Sequence, residues 1–238
     1  IFFGLAFGRK SDLTVAATAF AGAIILWVAH ENWLDPSIST LQPVLDSYWL
    51  MIHVAVIVMS YGPFTLGMIL AAVSLFLMIF TTKGNYKKME INISELTVIT
   101  EMALTVGLVL LTIGNFLGGQ WANESWGRYW GWDPKETWAL ISIMIYAFVI
   151  HARLVPGLRG RWTFNVLAMF AYASIMMTYF GVNFYLSGLH SYASGDAPAT
   201  PTFVWWITLF AAILSAVAYF RYRKFYGKKR PPNPRRGN

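Results

Sequence analysis

Residues 48–81 read YWLMIHVAVIVMSYGPFTLGMILAAVSLFLMIFT and contain no aspartate, glutamate, lysine or arginine. A transmembrane helix needs about 20 mainly apolar residues. At a rise of about 1.5 Å per residue, a helix of this length extends roughly 50 Å. The stretch therefore predicts a helix that crosses a bilayer and projects beyond it at one end. Pro63 lies inside the stretch, and we expect a kink there because proline lacks the N–H that a helix uses.

The whole chain has the composition of a membrane protein. Of its 238 residues, 57% are hydrophobic and only 12% are charged, whereas soluble domains carry about 25% charged residues. Further stretches that are long and apolar enough to span a bilayer lie at 12–30, 94–118, 136–155, 163–186 and 203–221. The sequence therefore predicts an all-α polytopic membrane protein with about six transmembrane helices. It contains no cysteine, which excludes a disulfide framework and a cysteine nucleophile.

The basic residues predict the orientation of these helices. If the chain crosses six times, all but two of its 18 lysines and arginines fall on one side. The positive-inside rule makes this side cytoplasmic, with both chain termini on it, and the net charge of +7 then needs no nucleic-acid partner. We expect residues 1–225 to form one transmembrane domain. Residues 226–238 are expected to form a disordered basic cytoplasmic tail that binds anionic membrane lipid.

The outer segment 119–138 is rich in aromatic residues. Positions 126–138 read WGRYWGWDPKETW, with four tryptophans among them. Tryptophan is common at the membrane–water interface of any membrane protein, and such an interfacial position is sufficient to explain Trp205. The glycines and the Asp133-Pro134 pair between the rings indicate instead a close backbone approach and a capped helix start. The segment therefore predicts an aromatic floor beside a helix N-terminus, which suits a large, flat, apolar ligand.

Two histidines lie on the same side as this aromatic segment. His53 is near the outer end of the second span, and His190 is in the loop after the fifth. Imidazoles from two separate elements can ligate a haem iron axially, so the pair and the floor together favour a haem site. His30, at the outer end of the first span, is expected to be a polar helix-end residue. Arg128 and Lys135 are the only basic residues on this side, and they are candidates either for hydrogen bonds to the haem carboxylates or for ordinary solvation.

The stretch WGRYWGWDPKE at 126–136 resembles the tryptophan-rich WWD segment of the haem-handling proteins of cytochrome c maturation. The flanking WANE at 121–124 and TWA at 137–139 resemble the CcsA (ResC) branch of that family. The resemblance covers about residues 40–221 and places the motif between two outward histidines in the family's order. It implies that haem b is held at the external face by the iron ligands His53 and His190, with Trp126, Trp130, Trp132 and Asp133 in the motif.

The resemblance also implies an activity and its partners. Proteins of this family act as holocytochrome c synthases, which join haem to the Cys-x-x-Cys-His segment of apocytochrome c by two thioether bonds. The implied partner is a CcsB (ResB) membrane protein, either separate or fused in the same chain. The implied location is the bacterial cytoplasmic membrane with the haem site facing the periplasm or exterior, or an equivalent thylakoid membrane. No nucleophile is expected from this chain, because the apocytochrome supplies the thiols.

His151 lies near the cytoplasmic end of the fourth span. The resemblance implies that it ligates an inner haem whose second histidine comes from the CcsB-like portion, so that haem passes outward from His151. The alternative is a histidine that only reaches the headgroups. Glu101 is an intramembrane carboxylate, which is costly unless it is paired, protonated or hydrated. The sequence leaves open whether Glu101 lies near the inner haem path or pairs with a neighbouring threonine or another helix.

Two alternative functions remain beside the synthase. One is a haem delivery protein that hands haem to a chaperone; it would share the motif and the outer histidines, and His151 argues against it. The other is a bis-histidine electron carrier of the b type. Such a carrier needs paired histidines at similar depths inside the bilayer, and the first, third, fifth and sixth spans contain none internally.

Overall fold

The structure is a computed structural model that describes residue 6 and residues 10–30, 47–190 and 200–227. Its helices are α1 Asp12–His30, α2 Tyr48–Ile79, α3 Tyr86–Trp126, α4 Pro134–His151, α5 Arg161–Met176, α6 Val182–Tyr185 and α7 Thr202–Tyr226. A 3-10 turn, Ala152–Leu154, extends α4, and a π-helical turn, Met177–Gly181, joins α5 to α6. Because these described residues contain no strand, the all-α prediction is confirmed.

Five segments of the described chain are long and apolar enough to cross a membrane, namely Tyr48–Ile79, Tyr86–Trp126, Pro134–Leu154, Arg161–Tyr185 and Thr202–Tyr226. The helix α1 adds a shorter apolar stretch, Asp12–Ile24, and ends at His30 as expected. The prediction of a polytopic membrane protein is therefore confirmed, and each of the six predicted spans contains a helix. Most of the predicted tail, residues 228–238, lies outside the described residues.

The helix α3 is longer than the span predicted at 94–118, since it continues to Trp126. Gly118 and Gly119, followed by polar residues, end the apolar pattern, and glycine is a poor helix former. Burial of Trp121, which is 1% exposed, nevertheless keeps this part of the chain packed as a helix. The helix stops at Gly127, whose φ of 70° is left-handed and whose N–H donates to the Asn123 carbonyl at 2.9 Å. Glycine adopts this conformation without steric cost.

Glycines bring α2 and α3 into close contact. A Cβ atom at Gly107 would lie 2.7 Å from the Phe64 ring, and one at Gly114 would lie 2.6 Å from the Ile57 side chain. Small residues at such positions let two membrane helices approach each other closely. Phe64 in turn stacks on Tyr146 of α4 with ring centroids 3.9 Å apart, and both side chains are fully buried. We call Gly107, Gly114 and the following Gly118 the glycine seam.

The last helix is attached to the bundle mainly through its C-terminal half. The Arg221 guanidinium donates hydrogen bonds to the carbonyls of Ile79 and Thr81, at 3.0 and 2.6 Å. A cation at the C-terminus of α2 satisfies carbonyls that have no partner within that helix. The side chains of residues 202–210 are exposed, and burial begins only near Leu214.

The bundle has two chemically different ends. At one end, α2 and α7 finish and α3 begins; the hydroxyls of Thr81 and Tyr226 lie 3.3 Å apart there, and the rings of Tyr86 and Tyr226 lie 5.1 Å apart. We call it the basic end, because described basic residues such as Lys83, Lys87 and Arg161 lie there. At the other, aromatic end, the start of α2, the end of α3 and the start of α4 lie together with His190.

Candidate functional site

His53 is held at the aromatic end by its own helix and by α3. It lies in the second turn of α2 and is only 6% exposed. Its Nδ1 atom lies 3.1 Å from the Trp49 carbonyl oxygen. A carbonyl can only accept, so Nδ1 carries the proton and Nε2 carries the free lone pair. A Cβ at Gly118, the last residue of the glycine seam, would lie 3.5 Å from His53 Cδ2, so α3 packs directly against the ring.

Asp133 forms the start of α4 in the way that the sequence predicts. Its carboxylate accepts the Lys135 N–H at 3.2 Å, and the Glu136 carboxylate accepts the N–H groups of Asp133 and Gly131 at 3.2 and 2.8 Å. Pro134 stands at the first helical position, where a missing N–H costs nothing. This reciprocal capping box fixes the Asp133 side chain at the helix N-terminus.

The same carboxylate binds the segment that carries His190. It accepts the Leu189 N–H at 2.6 Å and the His190 Nδ1–H at 2.8 Å. Gly188 packs against it so closely that a Cβ there would collide with the Asp133 carboxylate. Asp133 is 6% exposed, so these are buried, charge-assisted bonds, which are about twice as strong as neutral ones. They set the position of the His190 ring although it lies 57 residues further along the chain.

The protonation of His190 follows from its surroundings. Burial lowers the pKa of His190 below its ordinary value, while the hydrogen bond and the charge of Asp133 act in the opposite direction. Because desolvation prevails, the imidazole is neutral near pH 7. Its one proton is on Nδ1, which faces Asp133, so Nε2 carries the lone pair. A carboxylate on the second nitrogen is the arrangement that orients histidine ligands of metals and raises their basicity.

Trp121 connects the two histidines. Its ring centroid lies 5.2 Å from that of His53 and 5.4 Å from that of His190. It is the largest fully buried side chain in the described structure, and its Nε1–H has no hydrogen-bond partner among the described residues. The sequence analysis used Trp121 only within the flanking WANE segment and did not name it as a site residue, because it precedes the dense aromatic run. No local spacing rule identifies it, since neighbours on a helix face are three or four residues apart and Trp126 is five residues away.

The tryptophans of the motif separate into two groups. The Trp126 ring lies 5.0 Å from His190 and 4.7 Å from Trp121, so it belongs to the histidine cluster. Trp130 and Trp132 form a T-shaped pair at 5.7 Å, and Trp132 is 71% exposed. The φ of Trp132 is 59°, which is a strained value for a bulky side chain. It turns the chain between Gly131 and the Asp133 cap.

The two outer basic residues differ in their bonding. The Lys135 ammonium donates to the Asn183 side chain at 3.0 Å. The Arg128 guanidinium lies over the Trp126 ring at 5.7 Å and 3.7 Å from a Glu136 carboxylate oxygen. Its Nη1 atom is buried without a hydrogen-bond partner in the described part of the chain. Arg128 therefore has donor capacity left for a carboxylate, whereas Lys135 is already used in a bond between α4 and α6.

His151 lies at the other end of α4 from Asp133. It is exposed, and its Nδ1 donates to the Ala147 carbonyl at 2.7 Å, which again leaves Nε2 free. Nearby, Arg153 forms an ion pair with Glu101 of α3 and lies over the Phe164 ring at 5.8 Å. The Glu101 carboxylate thus pairs with a basic residue of the turn after α4.

The side chains at the aromatic end suit a metal that is already held by an organic ring, rather than a bare metal ion. The described residues contain no group of three or more histidine, aspartate or glutamate side chains that could hold a bare metal ion. Two imidazoles with free Nε2 atoms, beside the buried Trp121 and the half-buried Trp126, are side chains of the type that can ligate a haem iron. Fold and site together define a polytopic all-α membrane protein with a histidine–tryptophan cluster suited to haem.

Comparison with known proteins gives the family. The chain belongs to the cytochrome c assembly protein family, whose model matches residues 1–190. It is 50% identical to the protein NrfI of Wolinella succinogenes over 81% of this chain and 21% of NrfI. It is 41% identical to the cytochrome c biogenesis protein CcsA of Chlamydomonas reinhardtii, over 65% of this chain and 43% of that protein.

A third relative extends the comparison to cyanobacteria. The chain is 39% identical to CcsA of Prochlorococcus marinus (strain MIT 9215), over 65% of this chain and 57% of that protein. The chain therefore spans about a fifth of NrfI and about half of these CcsA proteins. The predicted membership of the CcsA cytochrome c biogenesis family is confirmed, and it supports a role in cytochrome c maturation.

Proposed function

We propose that this chain holds haem between His53 and His190 and presents it for covalent attachment to apocytochrome c. The observation that supports the proposal is that the two imidazoles beside the Trp121 indole are both hydrogen-bonded at Nδ1. Each Nδ1–H is bonded, one to the Trp49 carbonyl and one to the Asp133 carboxylate. Each Nε2 is therefore available as a ligand, and neither ring needs to change its tautomer to bind iron.

The attachment step requires orientation rather than a protein nucleophile. In thioether formation, a cysteine S–H adds across each haem vinyl group, so that sulfur bonds to one carbon and hydrogen to the other. Both thiols come from the Cys-x-x-Cys-His segment of the apocytochrome, and no electrons are gained or lost. Holding the reacting groups in place can contribute several kcal/mol to such a step. The role of His53, His190, Trp126 and Asp133 is to fix the haem while the peptide reacts.

Haem b carries two carboxylates, and Arg128 is the residue best placed to receive one. Its buried Nη1, which makes no hydrogen bond within the described residues although it lies 3.7 Å from a Glu136 carboxylate oxygen, and its position over Trp126 support this role. A guanidinium binds carboxylates through paired, charge-assisted hydrogen bonds. Lys135 would have to leave Asn183 to contribute in the same way. Trp130 and the exposed Trp132 are assigned to the open side of the haem, where the apocytochrome approaches.

Haem is proposed to reach this site from the basic end, with His151 as its first ligand in this chain. The free Nε2 and the exposure of His151 support this order. The second inner ligand is assigned to a ResB-like membrane protein, separate or fused. We assign the basic end to the cytoplasmic side of a bacterial membrane, or its thylakoid equivalent, because of the positive-inside rule. The tail at 226–238 is assigned to anionic lipid.

The test is to replace each outer histidine by glycine in the purified membrane protein and to record its haem content and visible spectrum. We expect His53→Gly and His190→Gly each to lose most bound haem or to let it oxidise readily. Added imidazole should partly restore both properties, because it fills the vacant axial position. His30→Gly is the matched control and should behave as the wild type. Unchanged haem content and redox behaviour in both variants would remove these residues as ligands.

Attachment itself is tested with the partner present. Co-expression of the chain with a ResB-like protein and an apocytochrome c should yield haem that stays on the cytochrome after denaturation. The alternative role, delivery of haem to a chaperone, predicts outer-site haem without covalent product in the same cells. Covalent product that persists when both outer histidines are replaced would contradict the proposed site.

A further inference from the structure

The position of Trp121 between the two histidines conflicts with a haem in the same place. Its ring centroid is nearly equidistant from His53 and His190, at 5.2 and 5.4 Å. A point equidistant from two rings lies in the plane that bisects the line between them. A porphyrin whose iron is bound midway between two axial imidazoles lies in that same plane.

The distances also place the indole close to the centre of that plane. The midpoint between the two imidazoles is no farther than 5.4 Å from the Trp121 centroid, because each imidazole is within that distance. The iron would lie at this midpoint, and an indole within 5.4 Å of it would overlap the porphyrin ring around the iron. Trp121 and a bis-histidine haem therefore exclude each other at this site.

We propose that Trp121 is a gate of the outer haem site: it closes the space between His53 and His190, and haem enters only after its indole has turned away. This inference rests on the proposed role of the two histidines as haem ligands. It adds a residue that contacts both ligands and that controls access to them. The closed arrangement is held by ring contacts with both imidazoles and with Trp126.

The closed arrangement also contains a defect that favours opening. The Trp121 indole is 1% exposed, and its Nε1–H has no hydrogen-bond partner within the described residues. A buried donor without an acceptor costs free energy that a partner outside the packed cluster would recover. By contrast, the indole of Trp162 donates to the Ser215 carbonyl at 2.9 Å. The Trp121 ring is thus well packed, but its N–H makes no hydrogen bond in this position. This combination fits a side chain that can move to a second position.

The local helix allows such a movement. Gly118 and Gly119 precede Trp121 by three and two residues, and glycines in a helix interior weaken it. A Cβ at Gly119 would lie 3.1 Å from the Tyr129 carbonyl oxygen, so the backbone of the motif lies against the helix at this point. A displacement of the last turns of α3 would therefore move the aromatic segment together with Trp121.

A gate of this kind reduces the apparent affinity for haem by the fraction of molecules that are open. Removing the indole should remove this reduction. We expect Trp121→Ala to bind haem about tenfold faster than the wild type in stopped-flow mixing. Trp121→Phe keeps a ring in the gap and should stay within a few-fold of the wild-type rate. The rate at which the Ala variant releases haem to an excess of apomyoglobin should stay within a few-fold of the wild type, because the indole has already turned away when haem is bound.

A second measurement does not involve haem. Diethyl pyrocarbonate modifies accessible histidines, and mass spectrometry gives the rate for each one. In unloaded wild-type protein, His53 and His190 should react at least about tenfold more slowly than the exposed His151, which is the internal reference. In Trp121→Ala both should approach the His151 rate, and in Trp121→Phe both should remain protected. Because haem is absent, this result is independent of whether the proposed ligands bind iron.

Folding of the variants is controlled with Trp121→Leu and Trp162→Phe. Leucine keeps the helix and fills part of the gap, so it should give an intermediate histidine reactivity with a folded protein. Trp162→Phe loses ring volume and an existing hydrogen bond, whereas Trp121→Phe loses ring volume alone; both should lower the unfolding temperature without unfolding the protein. The gate is supported if histidine reactivity and haem association rise together in folded Ala or Leu variants. It is overturned if both variants protect His53 and His190 and bind haem at the wild-type rates.

Discussion

Replacing Asp133 by asparagine tests the bonds that hold the His190 segment at the start of α4. Asparagine is as good an N-cap as aspartate, so α4 should still start at Pro134. The aspartate accepts three hydrogen bonds, from Lys135 and His190 on one oxygen and from Leu189 on the other. An asparagine has only one acceptor oxygen, and its NH₂ group must face at least one of these donors. The variant therefore loses either the bond to the Leu189 backbone or the bonds to both Lys135 and His190, which share one oxygen.

The size of the effect follows from those bonds. A hydrogen bond to a charged group contributes about 1.5–3 kcal/mol. Removal of a partner behind a histidine ligand typically lowers metal affinity about 10–100-fold, which corresponds to about 1.4–2.7 kcal/mol. The two ranges agree because both describe the loss of one buried, charge-assisted bond. We expect Asp133→Asn to lower haem affinity of the outer site by a factor within that range.

The assay is haem titration of the purified variant, followed by visible spectroscopy and a redox titration. Loss of the carboxylate should make His190 a weaker donor and raise the midpoint potential, since an electron-rich ligand favours ferric iron. Glu136→Gln is the matched control for the potential: Glu136 accepts N–H groups of the same turn and pairs with Arg128, but makes no hydrogen bond to His190. Equal affinity and potential in wild type and Asp133→Asn would refute the argument, as would an equally large rise in potential in Glu136→Gln.

Four more outcomes are expected. Trp132→Ala should lower haem retention without a large loss of stability, because the ring is 71% exposed, and Trp205→Ala should change neither property; equal effects would mean that both rings are interfacial anchors. His151→Gly should reduce cytochrome c assembly in cells and starve the outer site, and imidazole should restore assembly only if the residue acts by coordination. Glu101→Gln should destabilise the basic end by leaving Arg153 unpaired, and adding Arg153→Gln should recover part of that loss in a double-mutant cycle. Acidification should lower the unfolding temperature of the haem-free wild type as His190 is protonated. Burial holds the folded pKa of His190 below the ordinary 6.5, so the contribution of neutral His190 to stability is present above pH 6.5 and is lost as pH falls through the folded pKa. The His190→Gln variant should lack this pH-dependent component.

The sequence predicts the helices of this protein well and the outer site in part. The apolar runs fix the spans, and Asp133-Pro134 followed by Glu136 correctly predicts the capped start of α4. These features depend on near neighbours in the chain, which periodicity and capping rules describe. The two residues that give the cluster its geometry follow no such local rule. The bond between Asp133 and His190 joins positions 57 residues apart, and only the packing of α4 against the end of the fifth span brings them together.

Trp121 shows a second limit of sequence reasoning. Its neighbours are glycines and polar residues, which end the apolar pattern near 118 and suggest a loop. The helix continues because the buried indole contacts rings from two other elements, His53 of α2 and His190. Tertiary packing therefore outweighs local helix propensity at this point, as it often does. The pairing of Glu101 with Arg153 was likewise undetermined by the sequence, since several partners on other helices were available.

The helix α7 is fixed to the bundle near its C-terminal end only. Arg221 anchors it near the basic end, while the side chains of residues 202–210 project from the bundle. Ala211 still packs against the core, and the part of α7 from there to Thr202 is about 14 Å long. A tilt of roughly 10°, well within the range of membrane helices, displaces its tip by about 2 Å. Changes in bilayer thickness will therefore bend this part of α7 first, while the glycine-packed pair α2 and α3 keeps His53 in place.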